Sequence, residues 1–405
     1  MYYILNKNVY LVKGVVNSCI YDLNESKLYS INNALSQKIE LANKEGINKN
    51  TIDKELKKVF DELIQLKVLC LSNTIEYHDL QEIESPDNGC EFAWIEISNR
   101  CNLKCLHCYN ESDIHCNKTM SFENFKKVID NLIKIRVRRI QIIGGEPLIE
   151  QKLLKKMLEY TLGKFEFIEV FTNGTLISNE WIEYFKKNNI HVALSIYSYS
   201  ANEHDKVTQI KGSWKKTNNA IKALKKNEIP YRVCNVLMKG ISLGEKNTDL
   251  YELSSNKDVV RMSGRASFSL LSDDLIKKRL ITKKKFEGPL KKKFCSRLIS
   301  GHNCFNNKIY ISSNLKIYPC VMERRIMHCD LNDTHEIKDS IRKLNKTMVK
   351  DCRDCEYRFA CHDCRPDSLS ENIYDKPWYC TYNPKTGQWH DENKFIQNLK
   401  KLCNE

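Results

Sequence analysis

No run of eighteen apolar residues occurs in this chain of 405 residues, so no segment has the length that a membrane-spanning helix needs. The first residues, Met-Tyr-Tyr-Ile-Leu-Asn-Lys-Asn, are not those of a secretory signal peptide. We therefore expect a cytoplasmic protein with no membrane partner. In that reducing compartment we expect metal sites rather than disulfides among the 18 cysteines.

A nucleic-acid-binding motif is also absent, although the formal net charge is +14. The basic residues are mostly lysines dispersed along predicted helical faces, as in Lys126-Lys127 and Lys225-Lys226. A solvated basic surface therefore explains the charge better than a nucleic-acid partner does. The length predicts two or three domains, and 41% of hydrophobic residues is enough for a normal buried core.

Residues 1–80 are predicted to form a separate module. Two short strands are expected near Val9 and Ser18, followed by a helix from residue 32 to about 43. Apolar residues at three- and four-residue steps predict a second helix, over Ile52, Leu56, Val59, Phe60 and Leu63. Strands followed by a helical pair indicate a winged-helix-like fold, and residues 81–91 are predicted to be a linker.

From residue 92 onward, predicted strands and helices alternate. Six strands are predicted, at 92–97, 139–143, 167–171, 191–196, 231–238 and 266–271. Amphipathic helices are predicted after the capping residue Ser121 and at 150–163, 179–188 and 214–226. This alternation predicts a parallel sheet with right-handed crossovers, whose ligands bind at the carboxyl ends of the strands.

Three cysteines follow the first of these strands, in the segment Cys101-Asn-Leu-Lys-Cys105-Leu-His-Cys108. Three thiolates on one loop can bind three irons of a [4Fe–4S] cluster and leave the fourth iron open for chemistry. A zinc site and scattered structural cysteines are the alternatives, although no second CxxC pair lies near this loop. The spacing CxxxCxxC resembles the signature of the radical SAM superfamily, in which a ring-bearing residue such as His107 usually precedes the last cysteine.

Motifs at later strand ends extend this resemblance. Gly144-Gly145-Glu146-Pro147 ends the second strand and is similar to the GGEP motif, whose backbone carbonyls hold the amino group of S-adenosylmethionine (SAM) in that family. Asn173, before Gly174, and Ser195, at the fourth strand end, match positions that line the SAM site there. Taken singly, each of these residues could equally belong to an ordinary turn.

A further stretch resembles the peptide-modifying branch of the superfamily. His204-Asp205 is followed by Lys211-Gly-Ser-Trp, an order that recurs in that branch. Members of the family often carry an arginine near positions 207 and 208, which are valine and threonine here. The contact that such an arginine makes to the SAM carboxylate is therefore not predicted for this chain.

Cysteines return at high density after residue 285. The resemblance here is to the SPASM domain, which normally holds two auxiliary [4Fe–4S] clusters. It implies one cluster on Cys304, Cys320 and Cys364, with Cys295 as the candidate fourth ligand. It implies a second cluster on four further cysteines, namely Cys352, Cys355, Cys361 and Cys380. Two zinc sites remain the alternative, since repeated CxxC pairs are also typical of zinc.

The C-terminal segment departs from the SPASM pattern in two places. The spacing Cys361-x2-Cys364 is one residue short, and Asn314 and Leu315 stand where the family has a glycine. The remaining cysteines of this segment, Cys329 and Cys403, are predicted to be thiols without a metal.

The resemblance implies an α/β fold: a partial (β/α)6 TIM-like barrel of radical SAM type, with an N-terminal winged-helix-like peptide-recognition module and a C-terminal iron–sulfur SPASM domain. The predicted boundaries are 1–80 for the module, 81–91 for the linker, 92–285 for the radical SAM core and 286–405 for the SPASM domain. The stretch from Cys352 to Arg365 is also similar to the SPASM partners of ATP-grasp peptide systems.

The activity implied by the resemblance is reductive cleavage of SAM to a 5′-deoxyadenosyl radical that modifies a ribosomally made precursor peptide, by a thioether or carbon–carbon crosslink or a related oxidation. The implied partners are a precursor peptide with a leader sequence and an electron donor such as flavodoxin or ferredoxin. An anaerobic sulfatase-type maturase and a catalytically silent iron–sulfur protein that binds peptides are the alternative functions.

Overall fold

A computed structural model describes residues 1–83, 89–254, 258–332, 339–368, 370 and 372–404. The chain divides into two compact units. The first unit contains the described residues of 1–87, 280–306 and 343–399. The second unit contains those of 88–279, 307–342 and 400–405. The predicted linker at 81–91 lies partly outside the described residues.

The N-terminal part of the first unit is built from two small antiparallel sheets and two helices. Its strands are β1 (Tyr2–Leu5), β2 (Val9–Lys13), β3 (Asn17–Asp22), β4 (Lys27–Asn32), β5 (Ile47–Asn48) and β6 (Leu69–Ser72). Its helices are α1 (Asn33–Glu45) and α2 (Lys54–Gln65). The sheet orders are β5-β1-β6 and β2-β3-β4. The two strands and two helices predicted for this part are confirmed, whereas its winged-helix character stays a prediction.

Parallel strands alternate with helices in the second unit. The strands are β7 (Phe92–Glu96), β8 (Arg139–Ile143), β9 (Phe167–Thr172), β10 (His191–Ser195) and β11 (Tyr231–Cys234). The helices are α3 (Phe122–Lys134), α4 (Gln151–Thr161), α5 (Asn179–Lys187), α6 (Ala201–Thr208) and α7 (Ser213–Lys226). The five strands lie side by side in the order β11-β10-β9-β8-β7. Strand–helix alternation from residue 92 is therefore confirmed.

Local sequence explains why these helices form and where they pack. Ser121 caps α3 by accepting a hydrogen bond from Asn124 N, as predicted, and so satisfies one of the free N–H groups of the first turn. The buried residues of α3 lie at helical spacing on one face, at Phe125, Val128, Ile129 and Leu132. They belong to an apolar core that also contains the inward side chains of the strands. This packing fixes the strand ends relative to one another.

The strand predicted at 266–271 is wrong. Residues Phe268–Leu270 form a single 3-10 turn, and the hydroxyls of Ser267 and Ser269 hydrogen-bond to each other at 2.6 Å. Serines that bond locally compete with a strand ladder. A sixth parallel strand does exist, but it is Lys308–Ile311, which pairs with Phe92–Glu96 on the side away from Arg139–Ile143.

The remaining elements complete both units. The helices are α8 (Asp273–Arg279), α9 (Lys292–Ser300), α10 (Asp339–Arg342) and α11 (Glu392–Asn404). The strands are β12 (Lys308–Ile311), β13 (Lys316–Tyr318), β14 (Cys329–Asp330), β15 (Tyr382–Asn383) and β16 (Gln388–Trp389). Strands β12, β13 and β14 extend the large sheet beyond β7. Within the described residues, every helix is too short or too polar to cross a lipid bilayer.

Candidate active site

A cavity of about 330 Å³ lies in the second unit. Cys101, Cys105 and Cys108, on the loop that follows β7, line one side of it. Much of the remaining lining comes from the parallel strands β7 to β11 and the loops directly after them, through Trp94, Gln141, Ile143, Phe171, Asn173, Ser195, Arg232 and Cys234. Asp258, Val321 and Met322 line the cavity as well. The position agrees with the rule that parallel sheets bind ligands at the carboxyl ends of their strands.

The backbone of the cysteine loop, residues 101–108, is tied to the end of α6. Lys104 N donates to the carbonyl oxygen of Thr208 at 3.1 Å, and Leu106 N donates to that of Val207 at 3.0 Å. Positions 207 and 208 are those at which an arginine was expected from the family and is missing. Here they hold the loop through backbone carbonyls, which any residue type provides.

Backbone N–H groups point at two of the three thiols. Leu103 N donates to Cys101 Sγ at 3.4 Å, and Ser112 N donates to Cys108 Sγ at 3.3 Å. Hydrogen bonds to sulfur favour the thiolate, and in iron–sulfur proteins they also adjust the reduction potential. The loop backbone therefore favours the thiolate form of Cys101 and Cys108.

Burial acts in the opposite direction on the same thiols. It raises the pKa of Cys105 to about 12, with a further increase from the Cys108 charge and a decrease from the Tyr197 hydroxyl bond. Burial also raises the pKa of Cys101 far above its ordinary value. Thiolates at this site therefore need a bound cation, and an iron–sulfur cluster supplies one. A [4Fe–4S] cluster takes one thiolate per iron, which suits three thiols spread along a cavity wall.

Gly144 and Gly145 bring the loop after β8 against the start of the cysteine loop. A Cβ atom on Gly144 would lie 2.3 Å from the carbonyl oxygen of Ser98, and one on Gly145 would lie 2.3 Å from that of Arg100. Gly145 N donates to Ser98 at 2.7 Å, and Glu146 N donates to Arg100 at 2.8 Å. Both glycines also line the cavity. The pair therefore positions the cysteine loop, in addition to leaving room for a ligand.

Glu146 is fully buried and holds the next loop. Its carboxylate accepts three hydrogen bonds of 2.7 to 3.0 Å, from Leu148 N, Thr172 Oγ1 and Asn173 N. Burial raises its pKa to about 7, although these three donors act to lower it. Glu146 and Pro147 are not among the residues that line the cavity. Of the GGEP segment, only the two glycines face the cavity.

Asn173 and Ser195, both predicted from the motifs, do line the cavity. The Asn173 amide donates to Asn102 Oδ1 at 2.9 Å and lies 3.9 Å from Cys101 Sγ. Ser195 ends β10 and hydrogen-bonds to the hydroxyl of Tyr197. The structure therefore brings these two residues and the cysteine loop together around one space.

His107 presents an unpartnered nitrogen at this space. It lines the cavity, and among the described residues no atom hydrogen-bonds to its buried Nδ1. Its ring packs edge-on against Tyr197 with centroids 5.0 Å apart, and burial lowers its pKa to about 4. A neutral imidazole with a free nitrogen fits a polar contact to a bound molecule.

The inner face of the sheet carries a charged group that sequence reasoning missed. Arg232 donates to the buried Glu169 carboxylate at 2.9 and 2.8 Å, and its third nitrogen lies 2.8 Å from Cys234 Sγ. Gln141, paired with Glu169 in the sheet register, donates to the same carboxylate. The available signal was an arginine inside a predicted strand, because a charge there needs a buried partner.

Asp258 was also missed, and no sequence pattern marks it. It reaches the cavity from the segment after β11, where its carbonyl oxygen accepts from Leu237 N at 2.8 Å. Among the described residues that line the cavity, it carries the one carboxylate. Its side chain is 73% exposed and lies 3.5 Å from Arg261. Only tertiary structure brings this acid to the site.

A third missed group surrounds the end of β7. The buried Glu96 carboxylate accepts from the Tyr310 hydroxyl at 2.5 Å and from Ser313 Oγ at 2.9 Å. Arg324 donates to the same Tyr310 hydroxyl at 2.9 Å. These bonds fasten strand β12 and its following loop to the strand that precedes the cysteine loop.

In the first unit, four of the C-terminal cysteines form one group: Cys352, Cys355, Cys361 and Cys380. Burial raises the pKa of Cys355, and the charges of Cys361 and Cys352 raise it further. Burial also raises the pKa of Cys352 to about 12 and that of Cys361 to about 11. Cys380 contributes to the increase at both Cys352 and Cys361. These are the four ligands that the family resemblance assigns to one auxiliary cluster.

The other four predicted auxiliary ligands are less uniform. Cys295, Cys304 and Cys364 belong to the first unit, whereas Cys320 belongs to the second. Cys295 is fully buried in an apolar cluster with Tyr10 and Tyr357. Among the described residues, no three His, Cys, Asp or Glu side chains are arranged as ligands of a single metal ion.

Comparison with known proteins identifies the domain that holds the cavity. Residues 95–250 match the sequence profile of the Radical SAM superfamily. This segment is a radical SAM domain. It contains the cysteine loop, the glycine pair and four of the five parallel strands, from β8 to β11. The cofactors of this superfamily are a [4Fe–4S] cluster and SAM, as expected from the sequence.

Named relatives include proteins of peptide biosynthesis. The chain is 37% identical over 179 residues, 44% of its length, to the antilisterial bacteriocin subtilosin biosynthesis protein AlbA of Bacillus subtilis strain 168. It is 30% identical over 156 residues, 38% of its length, to the sporulation killing factor maturation protein SkfB of the same strain. The matches cover only 38% of AlbA and 36% of SkfB.

Among solved structures, the fold is similar to that of Streptococcus suis SuiB bound to S-adenosylmethionine. The TM-score is 0.53 at 13% identity, and the match covers 94% of this chain and all of that one (100%). At this identity the likeness shows a shared fold. The α/β radical SAM fold expected from the sequence is thereby confirmed.

Proposed function

We propose that this protein is a radical SAM peptide maturase that modifies a ribosomally made precursor peptide. When bound, the cluster on Cys101, Cys105 and Cys108 and its SAM supply a 5′-deoxyadenosyl radical that removes a hydrogen atom from the peptide. The relatives named for bacteriocin biosynthesis and killing-factor maturation support a peptide substrate.

The observation that carries this proposal is the convergence of the predicted motifs on one cavity. The three thiols, the glycine pair, Asn173 and Ser195 come from four different strand ends, and all of them line the same 330 Å³ space. Turn residues without a common ligand need not meet in this way. A cluster needs thiolates in fixed positions, and SAM needs polar groups beside the cluster. The residues lining this cavity provide both.

Each part of the site has a task in this proposal. Gly144 and Gly145 offer backbone groups to SAM and hold the cysteine loop, while Glu146 fixes the position of Asn173. Asp258 accepts the proton that an oxidative crosslink releases, because it carries the one carboxylate among the described residues lining the cavity. The Glu169–Arg232 pair keeps the floor of the cavity polar without a free charge.

Peptide recognition is assigned to the N-terminal module. In the sheet β2-β3-β4, strands β2 and β4 are the edges, and the residues of β4 are exposed or half-buried. An extended leader peptide can add a strand to such an edge through backbone hydrogen bonds. The C-terminal cysteines hold the auxiliary clusters of a SPASM domain, which accept electrons, and a flavodoxin or ferredoxin supplies the reductant.

The test is an anaerobic assay of the reconstituted full-length protein with SAM and dithionite. We expect 5′-deoxyadenosine from the wild type and none above background from the variant in which Cys101, Cys105 and Cys108 are all alanine. Equal amounts from both proteins would refute the radical SAM assignment. A peptide encoded beside the gene should be modified only with its leader attached, and equal modification without the leader would favour the sulfatase-type alternative.

A further inference from the structure

Lys346 is a buried lysine beside the four-cysteine group of the first unit. Its side chain is 2% exposed, and its Nζ lies 2.7 Å from Asp363 Oδ1. Its charge acts on three of the four thiols and lowers the pKa of Cys352, Cys361 and Cys380, against the larger upward effect of burial. A buried ammonium loses several kcal/mol of hydration, which its surroundings must offset.

The carboxylate of Asp363 does not neutralise this lysine alone. Asp363 also forms an ion pair with Arg365, whose side chain is 1% exposed, and it lies 3.6 Å from His302 Nε2. Arg365 has further acceptors in the carbonyl oxygens of Ile373 and Asp375, at 3.0 and 2.9 Å. Two buried cations therefore share one carboxylate at this point.

Lys346 has no comparable second acceptor. Beyond the Asp363 ion pair, no oxygen or nitrogen atom among the described residues accepts a hydrogen bond from its Nζ. What remains around it is sulfur. A lysine in this position is stabilised when the neighbouring thiols carry negative charge, and a [4Fe–4S] cluster with four thiolates carries a charge of −2 in its oxidised form.

We propose that Lys346 is the counter-cation of an auxiliary [4Fe–4S] cluster on Cys352, Cys355, Cys361 and Cys380, and that it raises the reduction potential of that cluster. The inference rests on the SPASM assignment within the proposed function. Reduction adds one electron and one negative charge to the cluster, so a fixed positive charge beside its thiolates stabilises the reduced form. The lysine thereby makes the cluster a better acceptor for an electron that leaves the peptide.

Other charged side chains also act on the four-cysteine group. Lys376 is half-buried and lowers the pKa of Cys380, after the larger upward effect of burial. Glu356 lies next to Cys355 and raises its pKa, after burial and the Cys361 charge. The buried partners of Lys346 also act on the thiols: Asp363 raises the pKa of Cys352, Cys361 and Cys380, and Arg365 lowers that of Cys352. Lys346 is the buried cation whose charge acts on all three of these thiols.

The test compares Lys346→Met with Lys385→Met, whose lysine is 64% exposed and 3.9 Å from its partner Asp351. Both changes are made in the full chain with Cys101, Cys105 and Cys108 replaced by alanine, so that only auxiliary clusters remain. A redox titration followed by electron paramagnetic resonance monitors the signal that Cys352→Ala removes. At a fixed potential we expect the ratio of reduced to oxidised cluster to fall at least tenfold in K346M, which corresponds to a decrease of at least 59 mV in its reduction potential. The ratio should stay unchanged in K385M.

A second measurement separates this role from a structural one. K346M leaves Asp363 paired with Arg365, so the thermal stability of the metal-free protein should be unchanged or higher, while a chelator should remove iron from the loaded protein faster. An unchanged potential, equal iron release, or equal destabilisation of the metal-free and loaded proteins would overturn the inference. Neither measurement uses SAM or peptide, so the two proposals are tested separately. The role of Lys346 can be refuted while SAM cleavage is observed, and it can be supported while SAM cleavage is absent.

Discussion

Replacing Gly145 by alanine tests how closely the two loops at the active site fit. The added methyl carbon would lie 2.3 Å from the carbonyl oxygen of Arg100 and 2.6 Å from its carbonyl carbon. Both contact atoms are backbone, so no flexible side chain can move away. A normal contact needs about 1 Å more, and the cysteine loop would have to shift by about that distance.

This shift has two expected effects. It lengthens the hydrogen bonds from Gly145 N to Ser98 and from Glu146 N to Arg100, and overpacking of this kind costs about 1 to 3 kcal/mol of stability. It also displaces the thiols from the backbone that we propose binds SAM, and a misplacement of about 1 Å typically costs about 100-fold in rate. We therefore expect G145A to form 5′-deoxyadenosine about 100-fold more slowly than the wild type.

The matched control is Gly288→Ala. No atom lies within 4 Å of the Cβ position of Gly288, and its φ is not in the left-handed region. G288A should therefore keep wild-type stability and activity. The assay is anaerobic formation of 5′-deoxyadenosine with iron content measured in the same samples. If G145A, with full iron content, is within threefold of the wild type, the reasoning about the loop contact is refuted.

Two further predictions concern buried carboxylates. Burial raises the pKa of Glu146 to about 7 in the folded protein, so its protonation stabilises the fold fully below about pH 4.5 and this contribution is lost as pH rises through about 7. Between about pH 4.5 and 7, the unfolding free energy of the metal-free wild type should therefore fall by about 3 kcal/mol relative to that of E146Q, which does not titrate at this position. Chemical denaturation at a series of pH values measures this difference, and the same pH dependence in both proteins would contradict the prediction. Arg232→Met should cost about 2 kcal/mol, because it leaves the buried Glu169 carboxylate without its cation, and the double variant with Glu169→Gln should recover most of that loss.

The sequence predicted much of the second unit because its signals are local. Helix α3 follows from the Ser121 cap and apolar spacing, and strands β7 to β11 follow from short apolar runs between such helices. The sixth strand could not be found in this way. Lys308–Ile311 pairs with β7 across more than 200 residues of chain, and nothing in its four residues specifies that partner, whereas 266–271 had a similar local pattern and forms a 3-10 turn.

Site residues that belong to a sequence motif could be predicted. Those that only the tertiary structure brings to the site could not. The spacing of the three cysteines and the Gly144-Gly145 pair marked the right loops, although the clash that makes Gly145 necessary becomes visible only with Arg100 beside it. Asp258 and Lys346 lie in segments without regular patterning. Their roles depend on what surrounds them, which no local stretch of sequence contains.

The most direct test of the account is the dependence of 5′-deoxyadenosine formation on both the cysteine loop and the leader-bearing peptide. Reconstituted wild-type protein with SAM and dithionite should release 5′-deoxyadenosine, the C101A/C105A/C108A variant should release none above background, and the leader-bearing peptide should lose hydrogen in step with the wild-type product. Release of 5′-deoxyadenosine by the triple variant at the wild-type rate, or none from iron-loaded wild-type protein, would contradict the account.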